Sequence, residues 1–176
     1  MLIYPIAKVN GAWSANLDVL SYAWSLMKEQ GKARVVFSAG GVADEVDWVR
    51  HMTGKNRYGL LLFVNKDLAF VSWLTEFGAI GTAYAHFCGF KKGDNFTEED
   101  ILECGKAAIA YYEKLPGLKV LMGLTPRWNR AAIAFAEKLG MERLCVIPKV
   151  LPSAYRKNRS RDDGVLSTRS MEVENG

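Results

Sequence analysis

The sequence is poor in the residues that build metal centres and disulfide frameworks. It contains three cysteines, Cys88, Cys104 and Cys145, and only two histidines, His51 and His86. No two cysteines are spaced as a CxxC pair, and no group of histidines and cysteines has zinc-ligand spacing, so we expect no metal site. An odd number of cysteines also argues against a secreted disulfide framework. It favours a reducing compartment and predicts a cytoplasmic protein.

Long apolar runs, a large excess of one charge and several catalytic motifs are also missing. Residues 1–13 contain no basic segment followed by a long apolar stretch, so we expect neither a signal peptide nor a membrane-spanning helix. The net charge of +4 is mild, and no aromatic residues interleave with the basic ones at 156–161, so we expect no nucleic-acid partner. No serine stands in a G-x-S-x-G setting, and Lys91-Lys92-Gly93 lacks the glycine spacing of a P-loop.

What is present predicts one folded domain spanning residues 1–176, with 49% hydrophobic and 24% charged residues. Local patterns predict strands at residues 2–9, 59–64, 68–74, 82–90, 118–124, 144–151 and 164–171. They predict helices over residues 14–30, through Val42, Val46 and Val49, over residues 97–114, and from residue 129 to just before Gly140. Because antiparallel strands come first and strand–helix alternation follows, we expect an α/β fold in which helices flank a mixed sheet.

The third predicted helix has a well-defined start. Thr97 has the position of an N-cap and Asp100 that of N3, as in a capping box. Glu98, Glu99 and Asp100 in the first turn suit the helix macrodipole. The same carboxylates would repel an anion at this end, each by roughly 1 kcal/mol at about 4 Å under surface screening. The segment therefore favours helix stability over anion binding.

Residues 118–141 read as a buried strand, a short loop and an amphipathic helix. The helix resembles the second acetyl-CoA motif of the GNAT N-acetyltransferases, which runs Asn-x-x-Ala, three residues, Tyr, three residues, Gly-Phe. Asn129, Ala132 and Gly140 match this motif by spacing, whereas Met141 stands in place of Phe and Ala136 in place of Tyr. The alternative interpretation is an ordinary core helix after a strand, with Asn129 as its cap.

The resemblance implies a GNAT-like acyl-CoA N-acyltransferase fold. Its two central strands, residues 82–90 and 118–124, are then parallel and splay apart at their carboxyl ends to form the CoA cleft. The implied reaction is acetyl transfer from acetyl-CoA to the amine of a small molecule or a protein. We further expect no membrane partner and a homodimer.

The resemblance also implies where the cosubstrate binds. The candidate binding residues are Phe87, Cys88, Phe90, Lys91, Lys92, Gly93, Asn129 and Ala132. In the family, the loop after the first central strand has the pattern Arg/Gln-x-x-Gly-x-Gly/Ala and holds the pyrophosphate through backbone N–H groups. This sequence has one glycine there, Gly93, in place of two, while Lys91 and Lys92 supply positive charge.

His86 is the first candidate for the general base, because an unperturbed imidazole titrates near neutrality. Glu76, close to a sheet bulge suggested by Gly78, is a second candidate. A half-buried strand histidine and a surface glutamate are the alternatives without function. The family's general acid is the tyrosine that Ala136 replaces. The candidate substitutes are Tyr155, Tyr111 and Tyr112.

These two departures from the family, at the pyrophosphate loop and at Ala136, leave a second function open. A GNAT-like scaffold without catalysis, for example one encoded by a phage, would serve as a binding or assembly factor. Acetyl-CoA binding distinguishes the two hypotheses.

Overall fold

A computed structural model describes residues 1–6, 8–9, 12–13, 17–37, 41–91, 96–152 and 161–171. Its elements follow one another along the chain as β1 (Leu2–Ile6), β2 (Lys8–Val9), β3 (Ala12–Trp13), α1 (Leu17–Glu29), α2 (Ala33–Val36), α3 (Glu45–Met52), β4 (Tyr58–Val64), β5 (Asp67–Thr75), β6 (Thr82–Gly89), α4 (Glu98–Tyr112), β7 (Val120–Pro126), α5 (Arg130–Lys138), β8 (Glu142–Pro152) and β9 (Arg161–Ser170).

Seven of the strands form one sheet in the order β1-β4-β5-β6-β7-β9-β8, and β2 pairs with β3 in a separate small ribbon. Neighbouring strands of the large sheet are antiparallel except β6 and β7, which are parallel. The predicted mixed sheet with flanking helices is therefore confirmed. Pro5 lies in the edge strand β1, where a missing N–H donor is tolerated.

The hairpin between β4 and β5 follows from its two turn residues. Asn65 and Lys66 both have positive φ, 50° and 70°, as a type I′ turn requires. This turn matches the right-handed twist of the strands, so it sets their register, with Val64 opposite Asp67. The predicted hairpin is confirmed.

Hydrophobic side chains pack on both faces of the sheet. On one face, α1 and α3 cover a core built around Trp24, Trp48 and Trp73. On the other face, α4 and α5 cover a core that includes Phe70 and Tyr112. Alternate residues of β6 contribute to the two cores, because successive strand side chains point to opposite faces. We call these the α1–α3 face and the α4–α5 face.

The segment before β4 differs from the prediction. Among the described residues α1 begins at Leu17, and the predicted cap, Ser14, lies outside them. The short α2 and the β2–β3 ribbon were not predicted. The predicted valine stripe of α3 is wrong at Val46, which is 63% exposed. Trp48 and Met52, four residues apart, are the buried side chains of α3. The larger apolar surface of tryptophan decides which side of so short a helix faces the core.

Strand β7 is less buried than the sequence predicted, and β8 is largely exposed. Within β7, only Leu121 is fully buried, although an apolar run predicted a buried strand. Strand β7 separates from its neighbour β6 after three residue pairs, and this separation exposes part of β7. The β8 strand forms the sheet edge, and its side chains from Glu142 to Val146 are exposed.

Candidate active site

The candidate active site is the gap between β6 and β7. The two strands pair through three residue pairs, from Thr82 with Val120 to Tyr84 with Met122. Beyond these pairs β6 continues to Gly89 and β7 to Pro126 without pairing to each other. The predicted parallel pair that separates at its carboxyl ends is confirmed. A gap of this kind lies where ligands bind in open α/β sheets, outside the carboxyl ends of the strands.

Backbone groups line this gap. The N–H of Phe90 donates to the carbonyl of Ala69 on β5 at 2.8 Å, so the backbone of Phe90 faces β5. Because backbone groups alternate along a strand, Phe87 faces the opposite side, toward the gap. On β7, the N–H of Val120 donates to the carbonyl of Gly81 at 3.1 Å, so the same alternation turns Leu124 toward the gap. Amide donors and acceptors therefore border the gap on both strands.

His86 lies two residues beyond the last paired residue of β6, on the α1–α3 face. Its ring stacks on Trp73, with centroids 5.1 Å apart, and its Nε2 is 2.9 Å from the Thr75 hydroxyl. The pKa of His86 is lowered to about 4, mainly by burial and in smaller part by the nearby His51 and Arg57. The imidazole is therefore neutral at neutral pH.

Further polar groups lie close to His86. The ring of His51 packs edge-on against Trp73 at 6.1 Å, and burial lowers the pKa of His51 to about 4 as well. His51 Nε2 and Trp73 Nε1 are buried and have no hydrogen-bond partner in the described part of the chain. Burial also lowers the pKa of Arg57. The α1–α3 face beside the gap thus contains polar atoms that a bound molecule or water would satisfy.

Glu76 lies at a turn and not at a bulge. The registers of β5 and β6 run without a shift up to Thr75 opposite Tyr84. Gly78 begins a turn instead: its N–H donates to the carbonyl of Thr82, and its carbonyl accepts from Gly81. The suggested bulge is therefore wrong. Glu76 is exposed with a φ of 56°, and its charge acts on Arg57.

The predicted binding residues at Phe87, Cys88 and Phe90 fall into two environments. Phe87 packs against Phe70 and Phe135 on the α4–α5 face, while its backbone borders the gap. Cys88 and Phe90 are buried in the core of the α1–α3 face, and burial raises the pKa of the Cys88 thiol to about 12. Their backbone groups face β5, so neither residue offers a group to the gap.

Lys91 is exposed at the end of β6, and its main chain is held by Gln30. The Gln30 side chain donates to the Lys91 carbonyl at 2.6 Å and accepts from the Lys91 N–H at 2.9 Å. Three predicted site residues, Lys92, Gly93 and Tyr155, lie outside the described residues.

The first turn of α4 is closed by its own side chains. The Asp100 carboxylate accepts from the N–H of Thr97 at 2.8 Å, and Thr97 Oγ1 accepts from the N–H of Asp100 at 3.1 Å. The N–H and the hydroxyl of Thr97 both donate to the Asp100 carboxylate, and these two bonds lower the pKa of Asp100. The predicted capping box is confirmed. Two backbone donors that an anion would use are therefore already occupied.

Asn129 caps α5, since its Oδ1 accepts from the N–H of Ala132 at 3.2 Å. The helix ends as predicted, with Gly140 at a φ of 78°. Ala136, at the position of the family's tyrosine, is buried. Tyr112 donates from its hydroxyl to Ser72 at 2.8 Å within the core, and burial raises its pKa, so it is not available as an acid.

Across the described residues, no group of three or more metal-ligating side chains converges on one point. The helices in that part of the chain are all too short or too polar to cross a membrane. The gap between β6 and β7 is bordered mainly by backbone amides, with neutral imidazoles beside it. Such a site suits an extended ligand that contains amide groups.

Known structures share this architecture. The chain superimposes on RimL, the ribosomal L7/L12 α-N-protein acetyltransferase in complex with coenzyme A, with a TM-score of 0.70 and 14% identity over 89% of this chain and 91% of that one. The Vibrio cholerae spermidine N-acetyltransferase in complex with CoA and spermine gives a TM-score of 0.69 and 11% identity over 96% and 95%. A GNAT-family acetyltransferase from Streptococcus pneumoniae gives 0.66 and 14% over 90% and 96%.

The protein therefore has the fold of the GNAT acetyltransferases, as the resemblance implied. By sequence, no protein-family model matches this chain, and no curated protein matches it either. Identities of this size establish the fold alone.

Several residues of the site were missed by the sequence analysis. Trp73, Thr75 and His51 join His86 only through strand pairing and helix packing, and Gln30 and Lys32 reach the end of β6 from α1. Trp73 was detectable as a strand residue, but nothing in the local pattern indicated its neighbours. The register of β5 and β6, which sets Trp73 opposite His86, is a property of the whole sheet.

Proposed function

We propose that this protein is an N-acetyltransferase that transfers an acetyl group from acetyl-CoA to an amine. The observation that carries the proposal is the separation of β6 and β7 after three residue pairs, with the backbone of Phe87 and Leu124 facing the gap. The amides of a pantetheine arm need donors and acceptors of this kind. The GNAT fold, shared with structures that contain CoA, supports the same substrate.

In the proposed reaction the amine nitrogen attacks the thioester carbonyl, the C–N bond forms and the C–S bond breaks. The nitrogen loses a proton and the departing thiolate gains one. In this reaction the N–H of Phe87, which faces the gap, would stabilise negative charge on the carbonyl oxygen. His86 is our candidate base because burial keeps it unprotonated above about pH 4. Glu76 remains the second candidate base and Tyr155 the candidate acid.

One observation favours the alternative function as a non-catalytic scaffold. The Thr97–Asp100 capping box occupies backbone donors at the start of α4, and Glu98 and Glu99 add negative charge there. A pyrophosphate is disfavoured at this helix end unless nearby cations offset the carboxylates. The scaffold hypothesis predicts that acetyl-CoA binds no better than millimolar.

Calorimetric titration with acetyl-CoA tests the proposal, followed by an assay of free thiol release with polyamines and N-terminal peptides as acceptors. We expect micromolar binding and acceptor-dependent thiol release. His86→Gln should lower kcat by about a hundredfold or more and leave the Kd of acetyl-CoA unchanged. Millimolar binding together with no thiol release would reject the enzyme and support the scaffold.

The expected homodimer stays a prediction, which sedimentation velocity tests.

A further inference from the structure

A lysine next to the end of α1 has an unusual environment. Gly31, with a φ of +65°, ends α1 in a Schellman motif. The N–H of Lys32 donates to the Met27 carbonyl at 2.7 Å, and that of Gly31 donates to the Lys28 carbonyl at 3.0 Å. These bonds fix the backbone at Lys32 and therefore the position from which its side chain extends.

The Lys32 side chain reaches the carboxyl end of β6. Its Nζ donates to the carbonyl oxygen of Gly89 and lies 5.7 Å from the centre of the Phe90 ring. The double hydrogen bond between Gln30 and the main chain of Lys91 holds the end of α1 against the same strand end. Two independent contacts therefore position the ammonium group.

The position of this ammonium relative to the gap follows from the strand geometry. Phe90 donates its N–H to Ala69 on β5, so the backbone of Gly89, one residue earlier, faces away from β5. Gly89 is also beyond the three residue pairs that join β6 to β7. Lys32 consequently lies where the gap opens at the carboxyl end of β6.

The charge of Lys32 is not compensated within the described residues. No carboxylate there forms an ion pair with it. Burial lowers the pKa of Lys32, the Cys88 thiol opposes this shift, and the positive charge of Lys91 adds to it. An ammonium has three donors, and a single carbonyl accepts only part of this capacity. A half-buried cation without a counter-ion gains most from binding an anion.

We propose that Lys32, with Lys91 beside it, binds the diphosphate of the CoA substrate. The two lysines supply the positive charge that the start of α4 lacks, since Thr97 and Asp100 occupy the donors there. This inference rests on the proposed function. It assigns diphosphate recognition to the junction of α1 and β6, on the opposite strand face from α4.

The test compares CoA with pantetheine, which has the same arm without the nucleotide and its phosphates. Lys32→Met removes the charge and keeps the chain length. We expect it to weaken CoA binding by about tenfold or more in calorimetry and to remove much of its salt dependence. The affinity for pantetheine, followed by NMR titration, should stay within about twofold. Lys28→Met, at an exposed position one turn earlier on α1, is the matched control and should change neither affinity.

Lys32→Gln provides a second variant, because it keeps a donor for the Gly89 carbonyl but has no charge. It should also weaken CoA binding, with thermal unfolding confirming that both variants are folded. Unchanged CoA affinity in either folded variant would overturn the role of Lys32 and leave the proposed function intact. Failure of the wild-type protein to bind CoA would overturn both.

Discussion

The rings of Trp73 and His86 stack with their centroids 5.1 Å apart and their planes within 10° of parallel. Trp73 is fully buried, so this contact removes one face of the imidazole from water. Thr75 satisfies Nε2 at 2.9 Å without supplying a charge. An imidazole in such surroundings is stable in its neutral form, and its pKa falls to about 4.

A pH dependence of stability follows from this shift. The folded-state pKa of His86 lies below its unfolded value of about 6.5, so the neutral imidazole stabilises the fold fully above pH 6.5. This contribution is lost as the pH falls from 6.5 toward 4. Between pH 7.5 and 5 we expect His86 to account for about 2 kcal/mol of lost unfolding free energy.

Urea unfolding of wild-type protein and His86→Gln at both pH values measures this loss. The variant lacks the titrating group, so its stability should fall by about 2 kcal/mol less over the same interval. Comparing the two slopes cancels the constant cost of the lost ring contact. Equal slopes in the two proteins would show that His86 is not buried as a neutral group.

Variants of Asn129 distinguish a helix-capping role from a contact with CoA. Because its side chain accepts from the N–H of Ala132, Asn129→Ala should lower stability by about 1 kcal/mol. Asn129→Ser keeps a capping oxygen and should lose far less. If Asn129 also orients CoA, its replacement by Ala should weaken CoA binding by about 1 kcal/mol, the scale of one hydrogen bond. Unchanged CoA affinity in folded Asn129→Ala would restrict the residue to its capping role.

Arg169 joins three elements on the α4–α5 face. It donates to the Leu139 carbonyl beyond α5 at 2.7 Å and to Glu113 beyond α4 at 2.7 Å. Arg169→Met should therefore lower the unfolding free energy by about 2 kcal/mol, measured by urea denaturation. The exposed pair of Arg143 with Glu137, at 2.9 Å, is the control, and Arg143→Met should cost less than about 0.5 kcal/mol. Equal losses of unfolding free energy in Arg169→Met and Arg143→Met would contradict this prediction.

The charges around the start of α4 predict opposite effects on CoA binding. If the diphosphate extends to the start of α4, replacing Glu98 and Glu99 by Gln should tighten binding, because each carboxylate would then repel it by roughly 1 kcal/mol at about 4 Å. Replacing Lys91 and Lys92 by Ala should weaken it strongly, and more so at low salt. Calorimetry at two ionic strengths measures both. Micromolar binding that neither change affects would refute this electrostatic account.

Much of the fold was determined by local sequence. Asn65 and Lys66 specify a hairpin turn, Thr97 and Asp100 specify a helix start, and Gly140 specifies a helix end. These signals are local because each depends on backbone conformation or on hydrogen bonds within a few residues. The family motif around Asn129 added the parallel central strands, which local patterns alone leave open.

The tertiary structure decided the environment of the site. The sequence could not show that His86 stacks on Trp73, because that contact depends on the register between two strands. It could not show that Lys32 reaches Gly89, since residues 57 positions apart meet only when α1 packs on the sheet. Even the face of α3 was decided by packing, with Trp48 buried and Val46 exposed. Burial and the absence of a nearby opposite charge are properties of the packed molecule, and they determine the protonation of these groups.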